Sequence, residues 1–256
     1  MARGLHGSTS TTSRWFRRQL ARPVEVTQRI VCFPHAGGTA HAYSSWTDKF
    51  PSSVEVVAVQ YPGRQDRLSE PCIEDMGDLV AAIVAEMPAL AELPLTLFGH
   101  SMGSAVAYEV ARALESSDAY LVDTVFVSGR PAPSALLSET KHLLTDTELV
   151  EAMRTLSDVD DAVYDLPKLW PLILPPLRSD LRLLDGHRPT ELSPLNAPIV
   201  AMGGKADVTC SIAELDSWSR ATRHPLVVHG FEGGHHYPRL SEDELIATIT
   251  KSMTIV

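Results

Sequence analysis

The sequence predicts an α/β fold: a mostly parallel sheet with helices on both faces and a helical insertion over one edge. Three observations carry this. Short continuous apolar runs recur along the chain, separated by helical patterns, as expected for strands buried on both faces. Gly99-His100-Ser101-Met102-Gly103 follows one such run and precedes a helical one, so a glycine-flanked serine stands on a strand–turn–helix. The 256 residues are enough to bury a sizeable core.

Residues 1–13, rich in Gly, Ser and Thr, lack the apolar stretch of a secretory leader and are expected to be disordered. Residues 14–256 are expected to form one domain. Trp15 and Phe16 should pack on it, while Arg14, Arg17 and Arg18 beside them are a candidate docking patch for an acidic partner. Arg29 to Pro34 reads as a buried strand running into the turn His35-Ala36-Gly37-Gly38. Val54 to Val59 is a second strand, ending in Tyr61-Pro62-Gly63-Arg64. Ile73 to Met87 is a helix, because Ile73, Met76, Leu79, Val80, Ile83, Val84 and Met87 form one stripe and Pro88 follows. Leu95 to Phe98 is the third strand, Ala105 to Leu114 the next helix, and Leu121 to Val127 the fourth strand.

The rhythm then breaks. Over about 130–196 lie an amphipathic helix at Thr145 to Leu156, an apolar, proline-rich run at Leu166 to Leu177, and a helical stretch at Ser179 to Leu184. Falling between two strands, this insertion is expected to act as a lid over the sheet's C-terminal edge. Pro198 to Met202 and Leu226 to Val228 are the fifth and sixth strands, and Glu242 to Met253 closes the chain as a helix.

Composition excludes several classes. A net charge of −10 argues against generic binding to nucleic acid or anionic membrane. No apolar run reaches the roughly 18 residues of a membrane-spanning helix. Three cysteines (Cys32, Cys72 and Cys210) do not make a disulfide framework, which fits a reducing cytoplasm. Without a heptad pattern, a monomer is expected.

A serine hydroxyl becomes a nucleophile only beside a base that is itself oriented by a carboxylate. On this strand–turn–helix the order should be Ser, then Asp or Glu, then His. Asp207 follows the fifth strand directly through Gly203-Gly204, which favours it over Asp180 and Asp185. His235 follows the sixth strand after Gly233-Gly234; adjacent His236 is its rival. Ser101, Asp207 and His235 thus emerge at one edge of the sheet. The oxyanion donors should be the N–H groups of Met102 and Ala36, with His35, Gly37 and Gly38 contacting substrate from the same loop. A metal site at His235-His236 lacks the partners that metal-binding spacing needs, and Gly203-Gly204-Lys205 lacks the upstream glycine of a phosphate loop. No cofactor is expected.

Together Cys32-Phe33-Pro34-His35-Ala36-Gly37-Gly38, Tyr61-Pro62-Gly63-Arg64, Gly99 to Gly103, Gly204-Lys205-Ala206-Asp207 and Gly233-Gly234-His235 resemble the type II thioesterases, the stand-alone editing enzymes of polyketide and nonribosomal peptide synthesis. The likeness runs from about Arg14 to the C-terminus. It implies an α/β-hydrolase fold with a helical lid. It also implies hydrolysis of acyl groups from the phosphopantetheine arm of acyl or peptidyl carrier proteins, with Ser101 as nucleophile, Asp207 as acid, His235 as base, and Ala36 and Met102 as oxyanion donors. One departure is that His236 and Tyr237 follow the histidine where the family often has two aromatics. Carrier proteins of such systems resemble acidic bundles, so an acidic enzyme needs a local basic patch, for which Arg14, Arg17, Arg18, Arg64 and Arg67 are candidates. A general carboxylesterase or lipase on the same fold, and a non-catalytic binding module, are the competing readings.

Overall fold

Seven strands form one sheet among the described residues, which in this computed structural model are 13–18, 25–117, 119–135, 140–156 and 162–253. They are β1 (Phe16–Arg18), β2 (Gln28–Phe33), β3 (Val54–Val59), β4 (Leu95–His100), β5 (Val122–Ser128), β6 (Ile199–Gly204) and β7 (Val227–Phe231), in the order β1-β3-β2-β4-β5-β6-β7. β1 pairs antiparallel with β3, and all other neighbours are parallel. Every residue of β2, β3, β4 and β6 is buried, which is why these strands read as continuous apolar runs rather than alternating ones. Side chains still alternate in space. Val31 and Phe33 join one core cluster, while Ile30 and Cys32 join the cluster on the other face.

The first face is covered by α1 (Met76–Glu86) and α2 (Met102–Glu115). α1 starts three residues later than the apolar stripe suggests. Asp75 takes an extended conformation and its side chain accepts the N–H of Asp78, capping the helix there. The other face is covered by short turns around Tyr43 and Trp46 and by α6 (Glu242–Ser252), which follows the single-turn helix α5 (Tyr237–Leu240).

Between β5 and β6 lie α3 (Asp146–Leu156) and α4 (Trp170–Gly186). The helical stretch expected over Ser179 to Leu184 is longer, because α4 begins at Trp170 and continues through Pro175 and Pro176. Pro171 sits in the first turn, where no intrahelical donor is needed. Pro175 and Pro176 each forfeit a hydrogen bond. Burial of Leu174, Leu177, Leu181 and Leu184 outweighs that loss. Leu149, Val150, Leu174, Leu177 and Leu181 form a small core of the insertion's own.

One further difference lies near the N-terminus. β1 was not expected from sequence; Trp15 and Phe16 are buried there. The expectation for residues 1–13 falls outside the described residues except for Ser13, whose hydroxyl donates to Glu86 at 2.9 Å. No helix among the described residues is long and apolar enough to cross a membrane.

The topology places the site. From β2 the chain passes to β3 on one side, then crosses to β4 on the other. Such a reversal opens a crevice at the C-terminal ends of the two central strands. The loop after β2 and the turn after β4 meet there.

Candidate active site

Ser101 sits between β4 and α2 with φ 53° and ψ −116°, a strained backbone for a residue with a side chain. The flanking glycines are required by contact. A Cβ on Gly99 would lie 1.9 Å from the carbonyl oxygen of Gly103, and one on Gly103 would lie 2.0 Å from that of Phe33. The turn is pinned to β5. Ser101 N–H donates to the carbonyl of Ser128 at 2.7 Å, and the Ser104 hydroxyl donates toward the carbonyls of Gly99 and Ser128. The Ser101 N–H is therefore occupied. The N–H of Met102, at the first position of α2, belongs to the group that a helix start leaves without an intrahelical partner.

Asp207 and His235, on the loops after β6 and β7, meet with Oδ2 2.8 Å from Nδ1, both nearly buried. Oδ1 of Asp207 accepts from the Thr209 N–H at 2.8 Å, the Thr209 hydroxyl at 2.7 Å and the Cys210 N–H at 3.2 Å. Burial pushes the Asp207 pKa up, but the hydrogen bonds from His235 and Thr209 outweigh it and hold the carboxyl below its usual range. The Thr209 oxygen also lies 3.0 Å from His235 Nδ1. Its proton is committed to Asp207, so both neighbours of Nδ1 act as acceptors. The network thus assigns the proton to Nδ1 and leaves Nε2 the basic nitrogen.

Ser101, His235 and Ala36 line one cavity of about 100 Å³. Its far wall comes from the insertion: Met153 and Leu156 of α3, Leu181 and Leu184 of α4, and Tyr164 between them. His35 and His236 also line it. The rivals for the acid go elsewhere. Asp180 binds Arg64 and the N–H of Gly37, and Asp185 pairs with Arg188. Gly37 and Gly38, expected to touch substrate, are not among the residues lining this cavity. The Gly37 N–H is taken by Asp180, and both glycines face a neighbouring cavity of about 460 Å³.

The proposed basic patch is only partly a surface. Arg64 and Arg67 are buried, the first against Asp180 and the second against Glu70 with its guanidinium 4.2 Å from the Trp15 ring. They are structural, because charges are buried only where partners replace water. Arg14, Arg17 and Arg18 are more exposed and pair with Glu70, Asp66 and Glu55.

Sequence reasoning missed a hydrogen-bonded chain behind the site. Nδ1 of His100 lies 2.9 Å from the Ser128 hydroxyl, which lies 2.6 Å from the Tyr237 hydroxyl. It links the residue before Ser101 to the residue two past His235. The motif departs from the family at His236 and not at Tyr237, so nothing local in the sequence marked this chain. Burial, then the nearby imidazoles of His235, His35 and His236, hold the His100 pKa well below 6.5. Among the described residues, no group of three His, Cys, Asp or Glu side chains is placed to hold a metal ion.

A family model for the thioesterase domain matches residues 28–253. The chain is 38% identical over 226 residues to the thioesterase PikA5 of Streptomyces venezuelae, covering 87% of this chain and 79% of that protein. It is similar to the solved structure of BorB, the type II thioesterase of the borrelidin biosynthetic cluster, with a TM-score of 0.85 and 36% identity over 93% of this chain and 97% of that one. RedJ, the thioesterase of the prodiginine pathway in Streptomyces coelicolor, superposes with a TM-score of 0.83 and 33% identity, covering 95% of this chain and 100% of that one. The fold, the matched domain and these likenesses converge: the chain belongs to the thioesterase family and is a type II thioesterase, a hydrolase of thioester bonds.

Proposed function

We propose that this chain is a serine thioesterase that removes acyl groups from the phosphopantetheine arm of acyl or peptidyl carrier proteins, as an editing enzyme of polyketide or nonribosomal peptide synthesis. The observation that carries the reading is the Asp207–His235 pair at 2.8 Å, with His235 lining the cavity that Ser101 also lines. The relatives' biosynthetic clusters support the setting.

In this reading Ser101 Oγ attacks the thioester carbonyl while His235 Nε2 takes its proton. The N–H groups of Ala36 and Met102 bind the oxyanion, and Asp207 stabilises the imidazolium. The C–S bond breaks, the pantetheine thiol leaves with the proton from His235, and the acyl group stays on Ser101. Water, deprotonated by His235, then attacks the acyl-serine and releases the acid. A thiol, with a pKa of about 8.5, is a good leaving group, so the chemistry suits slow, broad editing. The insertion acts as the lid, and its apolar side chains receive the acyl group.

The test is intact-mass spectrometry of an acyl-loaded carrier protein incubated with the enzyme, beside an oxygen ester of equal chain length. The expected result is loss of the acyl mass, faster hydrolysis of the thioester, and none with Ser101→Ala. Preference for the oxygen ester assigns the chain to general esterases instead, and retained turnover in Ser101→Ala removes the serine from the mechanism.

A further inference from the structure

Arg64 and Asp180 lie 116 residues apart in sequence and meet with each side chain about 5% exposed. Two parallel hydrogen bonds join them, Nη1 to Oδ2 at 2.5 Å and Nη2 to Oδ1 at 2.8 Å. Neither group stops there. Oδ2 also accepts the N–H of Gly37 at 2.8 Å, and Arg64 Nη1 donates to the carbonyl of Gly38 at 3.3 Å. The pair therefore grips the turn after β2 by one backbone donor and one backbone acceptor.

The turn also rests on α4. Gly37 has φ 72°, and a Cβ there would come within 3.3 Å of Leu177. Ala36 packs against the insertion's own apolar cluster. Asp180 stands on the same helix as Leu181 and Leu184, which wall the cavity holding Ser101. Apolar side chains would hold α4 down as well as this buried ion pair does, without the cost of desolvating two charges. They would not fix the direction of a particular peptide unit.

We infer that Asp180 is a positioning residue: by holding Gly37 it aims the adjacent Ala36 N–H at the oxyanion, and by standing on α4 it makes the acyl-pocket wall and the oxyanion hole one body. This rests on the serine-thioesterase reading. Displacement of α4 by an ill-fitting acyl group then acts on a residue adjacent to the oxyanion donor, so chain fit registers in kcat as well as in binding.

The full-length enzyme is tested with an acyl N-acetylcysteamine thioester and with an alkyl boronic acid, which bonds to the serine oxygen and presents an anionic oxygen to the hole. Asp180→Ala removes the acceptor from Gly37 and is expected to lower kcat by about 10–100-fold with KM within about threefold. Boronate affinity should fall by the same factor. Loss of folded protein would lower kcat but leave boronate affinity untouched. Asp180→Glu keeps the charge opposite Arg64, so the fold survives, but moves the acceptor off Gly37; it should show the same paired losses in smaller measure. Kcat within threefold of the parent in a folded variant, or a kcat loss without a boronate loss, overturns the inference. Ser101→Ala separates the two failures. If it is inactive while the Asp180 variants behave as the parent, this inference alone falls; if it retains activity, both fall.

Discussion

Replacing Asp207 by Asn changes one atom, and the hydrogen bonds around it dictate the outcome. Oδ1 faces three donors, the N–H and hydroxyl of Thr209 and the N–H of Cys210. An asparagine must keep its carbonyl oxygen there. Its NH₂ group then occupies the Oδ2 position, 2.8 Å from His235 Nδ1. Two donors cannot share that contact, so His235 is driven to carry its proton on Nε2, the nitrogen that must act as base. The variant loses a charge-assisted hydrogen bond to the imidazolium, about 1.5–3 kcal/mol, and must also restore the productive tautomer against an opposing donor. Together these come to about 5 kcal/mol, or roughly 10⁴ in kcat. Stopped-flow or thiol-release assay of an acyl N-acetylcysteamine thioester reads this directly, with KM expected to stay within a few-fold. A loss below about tenfold would refute both the tautomer assignment and the role of Asp207.

Three other outcomes follow from the same geometry. Gly103→Ala improves helix propensity by about 1 kcal/mol, yet its methyl would lie 2.0 Å from the Phe33 carbonyl oxygen, so a net loss of about 2–3 kcal/mol is expected in urea unfolding; an unchanged midpoint contradicts it. His100 is kept neutral in the folded protein while the unfolded chain protonates near 6.5, so its contribution to stability is complete above that pH and is lost as pH falls, by at most about 1.4 kcal/mol per pH unit. Tm against pH should therefore be flatter for His100→Gln than for the parent between pH 6.5 and 5, and parallel curves would show that His100 does not set that slope. Met153→Ala widens a cavity of about 100 Å³ and should shift kcat/KM toward longer acyl thioesters by about tenfold, read across a chain-length series; an unmoved optimum would place the acyl group elsewhere.

Much of the site was legible in the sequence because its demands are local. The contacts that require glycine at Gly99 and Gly103 come from a turn only five residues long and from the strand beside it. Asp207 and His235 could be proposed because each follows an apolar strand run through a glycine pair, buried in β6 and largely exposed in the edge strand β7, and strand ends in a parallel sheet share one edge. The choice of His235 over His236 had weaker local support, and the bond to Asp207 supports it.

What the chain's own pattern determined is the layered sheet, its edge and the candidate residues on that edge, since burial on both faces writes continuous apolar runs and tight turns write glycines. Tertiary structure alone decided which pairs meet across distance. Arg64 with Asp180, Ser128 with Tyr237, and the run of α4 through two prolines depend on packing between segments that no local period relates. A buried charge is tolerated only where a partner stands opposite, and the partner's position is a property of the folded whole.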